Sequence, residues 1–114
     1  MPIAGNRAPE LACVPSAIPS SERAAHFELA RVLFTELAQE RSDLPNGYAF
    51  RFRHDAFEAL ARFIANERKC CPFMNFELAL ASESGPLWLR MTGPEGTRAV
   101  LQSELNLQGS CSCG

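Results

Sequence analysis

Three short stretches of the chain alternate apolar with polar residues. Tyr48, Phe50 and Phe52 alternate with Ala49, Arg51 and Arg53, the period-2 pattern of a half-buried strand. Met74, Phe76, Leu78 and Leu80 alternate with Asn75, Glu77 and Ala79. Leu87, Leu89 and Met91 are set against Trp88 and Arg90. Ser82-Glu83-Ser84-Gly85 supplies the turn between the second and third strands.

Other stretches follow the helical period. Phe27, Ala30, Phe34 and Leu37 recur three or four residues apart, and Leu29 and Leu33 widen the stripe. Ser20 or Ser21 caps this helix, with Glu22 in its first turn. The pattern predicts an end near Asp43, before a turn at Leu44-Pro45-Asn46-Gly47. A second helix starts at Asp55 with Phe57, Leu60 and Ile64 inward, and stops near Cys70 because Pro72 disfavours the α region at Cys71. Pro94 suits the first turn of a last helix, with Glu95 near its positive end and Val100, Leu101 and Leu105 inward.

The predicted fold class is α+β, in the order α-β-α-β-β-α, with a three-stranded sheet and helices packed on one face. Arg51, Arg53, Glu77 and Arg90 then share the other face, either solvated or the surface of a homodimer. A length of 114 residues suits a single domain, residues 1–114. Pro2, Pro9, Pro15 and Pro19 make residues 1–19 an irregular arm, and residues 106–114 form a flexible tail.

Composition narrows the function. The net charge of −2 comes from interspersed acidic and basic residues, which leaves no footprint for nucleic acid or anionic lipid. No apolar run approaches the ~18 residues that a membrane span needs. Residues 1–12 lack a basic start followed by an apolar stretch, so a cytoplasmic protein is expected.

The five cysteines change the picture most. A reducing compartment disfavours structural disulfides, and an odd count disfavours a closed disulfide framework. Cys70 and Cys71 are adjacent at a helix end, Cys111 and Cys113 form a C-x-C near the C-terminus, and Cys13 lies in the arm. Thiolates favour soft ions, and paired cysteines deliver two sulfurs from one backbone segment. Adjacent cysteines strain to chelate one tetrahedral ion, which leans towards Cu(I), Hg(II) or As(III) over structural zinc. The negative end of a helix opposes a thiolate nucleophile and favours a cation. The competing reading buries Cys70 and Cys71 as small core residues, since Cys71 follows Ile64 by seven. The polar tail offers its cysteines no core. The expected ligand set is Cys13, Cys70, Cys71, Cys111 and Cys113, holding a soft metal ion (Hg, Cu(I), Zn or As(III)) in a buffer, carrier or resistance accessory. The alternative is a cytosolic dithiol/disulfide redox protein with the C-x-C tail as its resolving pair.

A non-enzymatic role is favoured over an enzymatic one, because no Ser/His/Asp set or paired acid cluster stands out. His26, one residue from the core stripe, reads as a surface or boundary residue, and His54 as serving a turn. Gly93-Pro94-Glu95-Gly96-Thr97 lacks the lysine of a phosphate loop and reads as a strand-to-helix turn. Glu67-Arg68 reads as a salt-bridged face.

Glu67-Arg68-Lys69-Cys70-Cys71-Pro72-Phe73, Phe76-Glu77-Leu78, Gly85-Pro86-Leu87-Trp88-Leu89 and Thr92-Gly93-Pro94-Glu95-Gly96-Thr97 together resemble a family of small, mostly uncharacterised bacterial proteins. That family shares E-R-x-C-C-P-F, F-E-L, G-P-x-W-L and T-G-P-E-G-T. Ala12-Cys13 matches an A-C pair near the start of the pattern, so the likeness spans roughly residues 11–101. The resemblance implies a converging set of Cys13, Cys70 and Cys71. The C-x-C tail departs from the pattern and points towards metal sequestration or heavy-metal resistance.

Overall fold

The computed structural model describes residues 11–105 and residue 107. The chain runs through a 3-10 turn (Pro15–Ala17) into helix α1 (Ser20–Val32), which one π-helical turn (Leu33–Leu37) extends. Strands β1 (Glu40–Leu44) and β2 (Gly47–Phe52) follow, then a 3-10 turn (His54–Ala56) and helix α2 (Phe57–Cys70). Strands β3 (Asn75–Leu80) and β4 (Leu87–Thr92) and helix α3 (Thr97–Glu104) complete the order. The protein is α+β, with a four-stranded antiparallel sheet in the order β1-β2-β4-β3.

This corrects the three-stranded sheet and the long first helix. The π-helical turn closes where the Ala38 amide donates to the Leu33 carbonyl at 2.8 Å. Ala38 is already extended, and β1 pairs with β2 from Glu40↔Arg51 to Leu44↔Gly47. Glu40-Arg41-Ser42-Asp43 carries no apolar alternation because β1 is an edge strand, where charged side chains guard open backbone groups. The turn predicted around Pro45-Asn46 joins the two strands. Gly47 is required there, because a Cβ would run into the Met91 carbonyl oxygen and come within 2.8 Å of Thr92 Cα.

Tyr48, Phe50 and Phe52 on β2 and Leu87, Leu89 and Met91 on β4 are buried on one face, as their alternation required. Phe34 meets that face, its ring 4.8 Å from Phe50 and 5.1 Å from Phe63 of α2. The opposite face carries exposed pairs: Arg51 with Glu40 at 3.2 Å and Arg90 with Glu77 at 3.0 Å. Arg53 lies beyond β2 and pairs with Asp55.

The helical stripes are rotated from those the spacing predicted. Phe27, Leu37 and Phe57 are exposed at 42%, 43% and 41% and His26 and Phe63 are buried in their place, while Leu33, Phe34 and Leu60 are buried as the spacing predicted. Helix α3 begins at Thr97, after Pro94 has turned the chain and Gly96 has taken the left-handed φ of 99° that glycine adopts without penalty. Gln102 donates to the Tyr48 hydroxyl at 2.7 Å, and Arg98 pairs with Asp43 at 3.2 Å. These contacts tie α3 to the sheet and fix its last residue, Glu104.

Candidate metal centre

Helix α2 turns one stripe inward, and the stripe changes character along its length. It begins with Leu60 and Phe63 and ends with Glu67 and Cys70. Pro72 stops the helix, leaving its last carbonyls to find other donors. The Val14 amide donates to the Cys70 carbonyl at 2.6 Å. That bond holds the N-terminal segment against the helix end and brings Cys13 to Cys71.

Cys13 and Cys71 are joined as a disulfide, with Cα atoms 4.5 Å apart across a sequence separation of 58. This corrects the expectation that no such bond forms. Cys70 is a free, buried thiol. One sulfur from each of Cys13, Cys70 and Cys71 and one carboxylate oxygen of Glu104 all lie within 4.8 Å of one another. Glu104 Oε1 is 3.2 Å from Cys13 Sγ and 3.3 Å from Cys71 Sγ, and Oε2 is 3.9 Å from Cys70 Sγ. Disulfide sulfurs carry no proton. The contacts to Cys13 and Cys71 are therefore hydrogen bonds when Glu104 holds a proton, or when the pair is reduced and its thiols donate.

Behind the sulfurs lies a second carboxyl. Glu67 Oε2 is 3.3 Å from Cys71 Sγ, and Glu67 Oε1 is 2.7 Å from His26 Nε2. His26 stacks on Phe63, with ring centroids 5.4 Å apart, and its Nδ1 has no hydrogen-bond partner among the described residues. Both His26 and Glu67 are almost wholly buried. His26 is thus no surface or boundary residue, and Glu67 turns inward to His26 rather than forming a salt-bridged face with Arg68.

Burial sets the protonation of this cluster. Desolvation pushes the Glu104 carboxyl up to about 9, helped by its hydrogen bond to Glu67 and the Glu67 charge. Glu67 is raised by the same burial. Cys70 is pushed up to about 12, by desolvation first and then by the two carboxylates. Burial also lowers His26, which favours the neutral ring. Among the described residues, neither Glu67 nor Glu104 pairs with Lys or Arg. A cluster of acids and thiols whose basic neighbour is a neutral-favouring imidazole rather than a Lys or Arg holds protons, and a cation is the natural replacement for them.

Three of the five predicted ligands therefore meet, and Glu104 joins them. Cys111 and Cys113 lie outside the described residues. Glu104 is not among the residues the pattern singles out, His26 reads from it as a surface or boundary residue, and Glu67 as part of a salt-bridged face. A signal existed for two of these. Glu67 follows Phe63 by four residues and Glu104 follows Leu101 by three, which puts carboxyls on apolar stripes. His54 is exposed ahead of α2, and residues 93–96 form a tight turn leading into α3. No family model matches the chain, and neither curated proteins nor solved structures yield a match. Among the described residues, no helix is long and apolar enough to cross a membrane.

Proposed function

We propose that the reduced protein binds a soft metal ion through Cys13, Cys70 and Cys71, with Glu104 as an oxygen ligand, and acts as a cytoplasmic buffer, carrier or resistance accessory. The observation that carries this reading is the convergence of three sulfurs and a carboxylate within 4.8 Å. Tetrahedral Zn–S bonds of about 2.3 Å separate ligand atoms by ~3.8 Å, so the set needs only small adjustments once the disulfide opens. Hg(II), Cu(I) and As(III) accept two or three sulfurs and suit the same group. Glu67 and His26 form the outer layer: the carboxyl orients Cys71, and the ring holds the carboxyl. The resemblance to the E-R-x-C-C-P-F family supports the inner three cysteines. Cys111 and Cys113 are proposed as additional ligands that capture an ion or cap it.

Native mass spectrometry of protein purified without oxygen tests this. One retained ion per chain, lost in Cys71→Ser, is the expected result. A metal-free chain that also takes up no Zn(II), Cu(I), Hg(II) or As(III) when these are added refutes the reading.

A further inference from the structure

The three converging cysteines differ in access. Cys70 and Cys71 have no exposed surface, whereas Cys13 is partly exposed. Cys13 lies on a groove of about 420 Å³ between the N-terminal segment and α3, lined by Leu11, Cys13, Ala99, Val100, Ser103 and Glu104. The groove therefore presents one sulfur of the disulfide and one carboxylate of the ligand set. The other disulfide sulfur lies behind them, against Glu67.

We propose that this groove is a reaction site for a dithiol, which attacks Cys13 Sγ and so unlocks the metal centre; this rests on the metal-binding reading above. The lock follows from bonding. Cys13 and Cys71 sulfurs that share electrons in an S–S bond cannot serve as thiolate ligands, so in the oxidised chain this centre lacks two of its three sulfur donors. A thiolate of the dithiol approaches through the groove and forms a new S–S bond to Cys13 Sγ. The Cys13–Cys71 bond breaks, and its electron pair leaves on Cys71 Sγ, which takes a proton from water or keeps the charge for a cation. The second thiol of the dithiol then attacks its own half of the mixed disulfide. Cys13 leaves as a thiolate and the dithiol departs as a cyclic disulfide. The protein gains two electrons, and the dithiol loses them. Which sulfur is attacked depends on access and on the leaving group, and access here selects Cys13.

Two measurements on the full chain test this. In the first, oxidised protein carrying Cys70→Ser, Cys111→Ser and Cys113→Ser, which keeps no third thiol to shuffle the bond internally, is treated with glutathione, quenched in acid, alkylated and mapped. The expected product carries glutathione on Cys13 and the alkyl group on Cys71. Glutathione on Cys71 overturns attack through the groove. As a second variant, Ala99→Phe fills the groove at an exposed position and should slow reduction by dithiothreitol about tenfold, with an unchanged circular dichroism spectrum. Reduction at the wild-type rate overturns the assignment of the entrance.

In the second measurement, Zn(II) is titrated against a chromophoric chelator, using Cys111→Ser, Cys113→Ser protein so that the tail supplies no thiolate, in its oxidised form and after reduction by dithiothreitol that is then removed without oxygen. The proposal expects binding only after reduction. Equal binding by both forms overturns the lock and leaves the metal reading standing. No binding by either form, with glutathione still on Cys13, overturns the metal reading and the lock but leaves the exchange site.

Discussion

The two ends of helix α2 are buried to the same depth and built from opposite materials. Towards its start, Leu60 and Phe63 meet Phe34, Phe50 and Phe52 in an apolar centre. Towards its finish, Glu67, Cys70 and Cys71 meet His26, Cys13 and Glu104. Phe63 and Cys71 both have 0% of their surface exposed, and Glu67 has 1%. Apolar burial stabilises by removing surface from water, at about 25 cal/mol per Å². Burying carboxyls and an imidazole costs free energy unless every polar atom finds a partner, and His26 Nδ1 has none among the described residues. The apolar end accounts for the fold. At the polar end the Cys13–Cys71 cross-link adds stability, but the buried Glu67 carboxyl and Cys70 thiol and the half-buried Glu104 carboxyl beside it call for a chemical explanation.

That contrast is open to attack at several strengths. Phe63→Ala removes a ring from the apolar centre and should cost about 3–5 kcal/mol, read by denaturant unfolding. A loss below about 1 kcal/mol would deny that this end carries the fold. Cys13→Ser opens a cross-link spanning 58 residues, and chain entropy predicts a loss of about 4 kcal/mol relative to the oxidised protein. Reduced wild type and reduced Cys13→Ser should then unfold at nearly the same denaturant concentration.

The polar end should respond in a different pattern. Glu67→Ala leaves His26 with both ring nitrogens unpartnered and should cost roughly 1–3 kcal/mol. The double replacement His26→Phe with Glu67→Met keeps the stacking on Phe63 and removes both polar groups, so it should cost less than that single change. A double variant weaker than Glu67→Ala would make the pair a stabilising element and weaken the comparison.

A pH profile probes the same end through its protons. Glu104 keeps its proton up to about 9 in the folded chain, against an ordinary value of 4.5 when unfolded. The folded state therefore binds more protons between those values. Its contribution to stability is complete below about 4.5 and declines as pH rises towards about 9. Glu104→Gln should flatten that decline when unfolding is measured across the range. An unchanged slope would place Glu104 in water.

How far the sequence carried each end follows from the same physics. Alternation exposed Tyr48, Phe50 and Phe52 and Leu87, Leu89 and Met91, since apolar burial repeats with the period of the element. Pro72 marked the end of α2 through local sterics. β1 escaped notice because an edge strand needs no apolar alternation, and Glu40 to Asp43 look solvated in isolation. Leu37 and Phe27 misled because a π-helical turn and a rotated stripe brought His26 into the buried face beside Leu33 and Phe34 and left Phe27 and Leu37 exposed. The cysteines announced themselves by type. Their partners did not, since His26 meets Glu67 across 41 residues and Cys71 meets Glu104 across 33. A polar residue becomes part of a buried cluster through its tertiary partner, and no local period records that.

X-ray absorption at the zinc edge, on reduced protein loaded with one equivalent of Zn(II), tests the central claim most directly. A first shell dominated by sulfur at ~2.3 Å with a lighter ligand beside it, and loss of sulfur scattering in Cys70→Ser, is the expected result. A shell of oxygen and nitrogen alone, or one that Cys70→Ser leaves unchanged, would contradict it.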